Sequence, residues 1–212
     1  MTRTWTRLAG TTAVATAALV ALAAPATAQT TTAAPAAPAV TARAAAAADV
    51  DYDTWQKDCR AVMADALPYL QARIADKRDG EKQAVVLDID NTTLETDFGF
   101  SYPQPANAPV LQVARYAQEH GVALFFVTAR PDIIKSVTRY NLQHVGYDVS
   151  GLRVRGFLDL FRDVADYKTA QRADIESDGY TIIANIGNSA TDLSGGHAEK
   201  TYKLPDYDGQ LS

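Results

Sequence analysis

The stretch Ala84-Val85-Val86-Leu87-Asp88-Ile89-Asp90-Asn91-Thr92 decides how this chain folds. Its apolar run follows the Asp79-Gly80 break and ends in acids, the mark of a short strand buried on both faces. The same pattern returns at Val122 to Val127 (VALFFV) and at Tyr180 to Ile186 (YTIIANI). Leu152-Arg153-Val154 is a weaker strand candidate, and Thr201 to Leu204 a short edge strand. Helical segments are expected at about 108–120, 131–144 and 166–176. A first helix is expected at 52–77, where Trp55, Cys59, Val62, Met63, Ala66, Leu67, Leu70 and Ile74 fall near one stripe. Pro68 should kink or interrupt it. Strands alternating with helices predict an α/β fold, a Rossmann-like parallel sheet flanked by helices. In such sheets ligands sit beyond the carboxyl ends of the strands.

Chemistry collects at those ends. Alternation along an extended segment puts Asp88 and Asp90 on one side, where the two carboxylates repel unless a cation lies between them. Taken alone, they also suit a pair of acids capping a strand end and the next helix. The second apolar run ends in Thr128-Ala129-Arg130-Pro131-Asp132, offering a hydroxyl and a backbone amide before an expected helix start, a natural phosphate holder. Simple helix capping by Thr128 is equally open. Lys168 opens the helical segment before the last main strand, where a lone lysine is ordinarily a solvated charge. The third run ends in Gly187-Asn188-Ser189-Ala190-Thr191-Asp192. Gly187 permits a tight turn there, and Asp192 can reach back toward the first acids as a hard oxygen ligand.

Together the order DxDxT, strand-Thr, Lys and Gly-Asn-x-x-x-Asp resembles the haloacid dehalogenase superfamily of phosphohydrolases. The phrases LDIDNTTLET, FFVTARPD and GNSATDLSGGHAEKTYKLPD are most similar to its secreted acid phosphatase branch, with bacterial class B and class C enzymes and plant vegetative storage proteins. The likeness covers roughly 55–208. It implies a phosphomonoesterase acting through an aspartyl-phosphate, with Asp88 as nucleophile and Asp90 as general acid and base. It implies Mg2+ held by Asp88, the Asp90 carbonyl and Asp192, with Thr128, Ala129 and Lys168 on the substrate phosphoryl group. Relatives often carry Asp where Asn188 stands, and an amide brings an oxygen but no charge to the metal. Thr92 is expected to shape the loop by local hydroxyl bonds. A 5′-nucleotidase or phosphotransferase of the same fold is the narrower alternative, and a catalytically weak storage or binding protein the non-enzymatic one.

Residues 97–108 (DFGFSYPQPANA) are too short for a folded cap domain and form at most a small cap insert. Phe98, Phe100 and Tyr102 either wall the leaving-group side or pack the loop onto the body. His197 suits a surface or capping role better than the site. Asn91-Thr92-Thr93 matches a glycosylation sequon, but inside the catalytic loop that reading is poor.

The remaining chain sets the context. Arg3 and Arg7 precede an uncharged Ala/Leu/Val-rich stretch, Leu8 to Ala24, and Ala26-Thr27-Ala28 gives a small-x-small cleavage pattern. Residues 1–28 therefore read as a signal peptide, implying a secreted, extracellular protein with no stable membrane anchor after cleavage. Residues 29–48, almost all Ala, Thr and Pro, read as a flexible tether, leaving 49–212 as one phosphatase-like domain. Loss of 1–28 moves the net charge from −5 to −7, which disfavours a nucleic-acid polymer as partner. The expected partner is a small phosphate monoester, with a homo-oligomer possible. The single cysteine, Cys59, permits no internal disulfide and reads as a small buried hydrophobe.

Overall fold

The computed structural model describes residues 50–99 and 101–211. The expected signal peptide and tether lie outside these residues, as does Phe100. The chain runs α1 (Tyr52–Ala75), β1 (Lys82–Leu87), α2 (Ala108–Glu119), β2 (Ala123–Pro131), a 3-10 turn (Asp132–Ile134) and α3 (Lys135–His144). It continues through β3 (Gly151–Arg155), a second 3-10 turn (Leu158–Phe161), α4 (Val164–Ser177), β4 (Tyr180–Gly187), the one-turn α5 (Ala190–Leu193) and β5 (Thr201–Lys203). The five strands form one sheet in the order β3-β2-β1-β4-β5, with every pairing parallel. This is the α/β Rossmann-like architecture expected from the alternating apolar runs.

Each central strand feeds two cores because its side chains alternate between faces. Val85 and Leu87 of β1 join α1 and α2 in the larger core, with Trp55, Leu70, Leu124 and Phe126. Ala84 and Val86 point the other way, toward Tyr167 and Ile175 of α4. Cys59 is fully buried in the larger core, where burial pushes its thiol up to about 11.

Two local expectations are corrected. Pro68 does not interrupt α1, which runs continuously from Tyr52 to Ala75. Pro68 and Ala64, whose carbonyl loses its partner, are both exposed, so that carbonyl faces solvent and its loss of the amide costs little. The second strand also runs further than its apolar stretch, through Thr128, Ala129 and Arg130 to Pro131, which pairs with Arg155 of β3. The α-helix begins only at Lys135. Thr128 and Ala129 therefore belong to a strand end and not to a helix N-terminus.

Candidate active site

Sheet register brings the distant motifs to one edge. Leu87 of β1 lies beside Phe126 of β2 and Ile186 of β4, so the residues that follow each of them emerge together. Asp88 continues the ladder, its amide donating to the Ile186 carbonyl at 3.0 Å. The loop then folds back under Thr93, whose hydroxyl donates to the carbonyl of Asp88 at 3.1 Å. Asn91 takes the left-handed conformation, φ 52°, which asparagine tolerates better than most residues. Its amide closes the loop by donating to Asp97 at 2.7 Å and accepting from the Asp97 amide at 3.0 Å. Asn91 is also buried, so the sequon is out of reach of a glycan.

Lys168 is no surface charge. It is buried on α4, and its ammonium donates to Asp88 Oδ1 at 2.7 Å and also to Asp192 Oδ1. Asp192 spends its second oxygen on the Ser189 amide at 2.7 Å, completing a capping box at the start of α5. Burial raises the Asp88 carboxyl to about 7, with Lys168 opposing the shift and Asp192 and Asp90 adding to it. Burial also works against the Lys168 ammonium, but the two carboxylates outweigh it and hold that group above the ordinary lysine value.

Gly187 is needed for a reason other than the expected tight turn. It is the last residue of β4, and a Cβ there would stand 2.4 Å from the Cβ of Asp192. Only glycine lets the metal-ligand candidate close on the strand end.

Asp90 lies toward the opening, with 36% of its side chain exposed against 7% for Asp88. Arg130 holds it from β2, through Nη2 to Oδ1 at 2.7 Å and Nε to Oδ2 at 3.1 Å. The Thr96 hydroxyl adds a bond to Asp90 Oδ1 at 2.9 Å. Sequence reasoning passed over Arg130. The signal was present, because a guanidinium at the end of the strand beside DxD has two carboxylates within reach.

A cleft of about 690 Å3 gathers Asp88, Asp90, Ala129, Lys168, Asn188 and Asp192 in its lining. Thr128 is fully buried beneath it, its oxygen accepting from the Arg130 amide at 3.1 Å. Thr92 does not make the local loop bonds expected of it. Thr93 makes those, while Thr92 reaches across to donate to Asn188 Oδ1 at 3.1 Å. Asn188 also donates to the Leu211 carbonyl, so its amide is tied on both sides. His197 faces Glu176 at 2.5 Å on the surface, as expected.

The loop aromatics separate. Phe98 stacks on Trp55 at 4.4 Å and packs the loop onto the body. Tyr102, 59% exposed, pairs with Tyr140 at 6.3 Å beside the pocket that Arg130 shares. Behind the site, the buried Arg172 donates to the Asp192 carbonyl at 2.7 Å, and Asn185 to the same oxygen at 2.9 Å. No cluster of three metal-ligating side chains exists among the described residues. Two buried carboxylates nevertheless share one ammonium, leaving an excess negative charge among hard oxygens. That donor pair, Asp88 and Asp192, fits a divalent cation.

A family model described as HAD superfamily, subfamily IIIB (Acid phosphatase) matches residues 3–104 and 101–210. Acid phosphatase 1 of Solanum lycopersicum is 30% identical over 103 residues, 48% of this chain and 40% of that protein. The Stem 28 kDa glycoprotein of Glycine max is 30% identical over 119 residues, 54% of this chain and 47% of that protein. The chain thus spans less than half the length of these curated relatives. The class C acid phosphatase of Bacillus anthracis superposes with a TM-score of 0.62 at 16% identity, covering 78% of this chain and 84% of that one. That likeness is one of fold.

Proposed function

Because the chain belongs to subfamily IIIB of the HAD superfamily, the acid phosphatases, we propose that it hydrolyses small phosphate monoesters through an aspartyl-phosphate on Asp88. The observation that carries this reading is the buried Lys168 ammonium bridging Asp88 and Asp192 beneath a cleft that Asp90 overlooks.

A carboxylate oxygen of Asp88 attacks phosphorus, and the ester P–O bond breaks as the new one forms. The departing oxygen takes a proton from Asp90. Asp90 then removes a proton from water, whose oxygen attacks the same phosphorus and releases phosphate while Asp88 returns to a carboxylate. Lys168 and the Ala129 amide stabilise the charge that builds on the phosphoryl oxygens. The residues that would hold a divalent cation, Mg2+ by preference for hard oxygens, are Asp88, the Asp90 carbonyl and Asp192, with Asn188 alongside. When bound, that ion screens the nucleophile from the anionic substrate. The open cleft suits broad tolerance among leaving groups, and the leader sequence supports action outside the cell.

The test is phosphate release from an aryl phosphate by the full chain, with Mg2+ and with EDTA, beside Asp88→Asn. Metal-dependent release that falls on the order of a thousandfold or more in the variant supports the reading. A folded wild-type protein inactive from acid to neutral pH, whatever the Mg2+ concentration, would sink it.

A further inference from the structure

Lys168 and Arg172 stand four residues apart on α4, so both project from one face of that helix. Lys168 takes the carboxylate end of Asp192, and Arg172 takes its carbonyl end. Arg172 is 1% exposed, yet none of its hydrogen bonds goes to a carboxylate. They go to the carbonyls of Asp192 at 2.7 Å, Gly196 at 3.0 Å and Ser194, and to the Thr169 hydroxyl at 3.2 Å. A guanidinium buried this deeply is costly to place, and here its bonds serve one loop.

That loop has little else to fix it. Ser194-Gly195-Gly196 brings no apolar side chain, all three residues are exposed, and both glycines are left-handed, φ 80° and 76°. It nevertheless lies hard against α4. Thr169, next to Lys168, donates to the Ser194 carbonyl at 3.1 Å, and a Cβ on Gly195 would run into the Thr169 side chain. Asn185 of β4 adds a second donor to the Asp192 carbonyl at 2.9 Å.

We propose that Arg172 is a positioning residue, which sets where the Asp192 carboxylate stands relative to Lys168 and thereby the affinity of the site for a divalent cation. The proposal rests on the reading that Asp88 and Asp192 hold that ion. One rigid helix carries both the ammonium and the brace, so its spacing fixes the gap across which Lys168 and Asp192 face each other. Released from Arg172, the loop would let Asp192 close further on the Lys168 ammonium, an ion pair that competes with the metal for the same carboxylate. Groups that orient a ligand in this way weigh on metal affinity although they never touch the ion.

Calorimetric titration of the full chain with Mg2+ alone, without substrate, tests this. Arg172→Met should raise the Mg2+ dissociation constant about 10- to 100-fold. At saturating Mg2+, its KM for p-nitrophenyl phosphate should stay within about threefold of wild type, since Lys168 and Ala129 still meet the phosphoryl group. Arg172→Lys keeps the charge but cannot span the three carbonyls, and should restore only a small part of the affinity. If Arg172→Met does not fold, Gly195→Ala displaces the same loop from its exposed side and should weaken Mg2+ binding in the same direction. A brace that served stability alone would lower the melting temperature in EDTA and leave the dissociation constant of the folded protein unchanged, which overturns the proposal. Full recovery by Arg172→Lys overturns it too, since charge and not position would then set the affinity. A wild type that takes up no Mg2+ removes the metal reading together with the proposal. Equal binding by wild type and Arg172→Met removes the proposal alone.

Discussion

Arg130 grips the Asp90 carboxylate with two nitrogens, Nη2 at 2.7 Å from Oδ1 and Nε at 3.1 Å from Oδ2, across forty residues of chain. The pair sits at the mouth of the cleft, beside the pocket that holds Tyr102 and Gln104. Gln104 receives a third bond from the same guanidinium at 2.9 Å. Asp90 is therefore aimed by β2 as well as by its own loop.

Loss of that aim should depend on the leaving group. With Asp90 as the proposed general acid, an alkyl phosphate would need its proton far more than an aryl phosphate. Arg130→Met should lower kcat about 100-fold on an alkyl phosphate but only about tenfold on p-nitrophenyl phosphate. Arg130→Lys should recover less than half of either loss, because a single ammonium cannot reproduce the fork. Equal losses on both substrates would show that Arg130 acts on something other than proton transfer.

The raised Asp88 carboxyl sets a pH-dependent stability. Its value moves from 3.8 to about 7 in the fold, so the native state favours the neutral acid. That contribution is present below pH 3.8 and is lost as pH rises through about 7. In EDTA, the melting temperature of Asp88→Asn relative to wild type should therefore rise as pH goes from 4 to 8, while activity stays absent. Asn at this position also removes one of the two carboxylates paired with Lys168, so the test lies in the trend with pH. A relative stability that falls over this range would contradict the charge accounting.

Gly187→Ala tests the close approach at the end of β4. The new methyl would sit 2.4 Å from Asp192 Cβ and 2.8 Å from its Cγ, and neither is the tip of a flexible chain. Asp192 has to shift, which should cost about 2 kcal/mol of stability. The half-saturating Mg2+ concentration for activity should rise at least tenfold. Urea unfolding and a Mg2+ titration of activity measure the two effects.

Arg73, near the end of α1, pairs with the nearly buried Glu81 and donates to Glu199 at 2.7 Å. Its hydrogen bonds, ahead of the opposing effect of burial, draw the Glu81 carboxyl from 4.5 down to about 2. The resulting stability is present above pH 4.5 and is lost as pH falls toward about 2. Arg73→Met should cost about 2 kcal/mol at neutral pH by leaving Glu81 unpaired, and much less at pH 3. Chemical unfolding at the two pH values checks both sign and size.

Asn188 offers a test of the proposed metal site. Its amide nitrogen donates to the Leu211 carbonyl and its oxygen accepts from Thr92 at 3.1 Å. Asn188→Asp would turn a carboxylate toward a carbonyl and should cost about 2 kcal/mol in EDTA. Thermal melts with and without Mg2+ should show that loss shrinking when the ion is present.

The sequence by itself determined the sheet, the ends of β1 and β4, and the chain order of Asp88, Asp90, Lys168 and Asp192. These are legible because hydrophobic runs and their polar termini are local, and a parallel sheet leaves few places for such termini to go. It did not determine partners. That Lys168 stands between Asp88 and Asp192, 80 and 24 residues away, follows only once register aligns the strand ends. Arg130 on Asp90 and Thr92 on Asn188 are likewise set by distance in space. Pro131 reads as a helix start, yet a strand claims it because Arg155 lies across the ladder. Gly187 reads as a turn, yet its lack of a side chain serves Asp192. Local propensity is a fraction of a kcal/mol per residue, whereas packing and ion pairing between distant segments are worth several, so the tertiary structure decides wherever the two disagree.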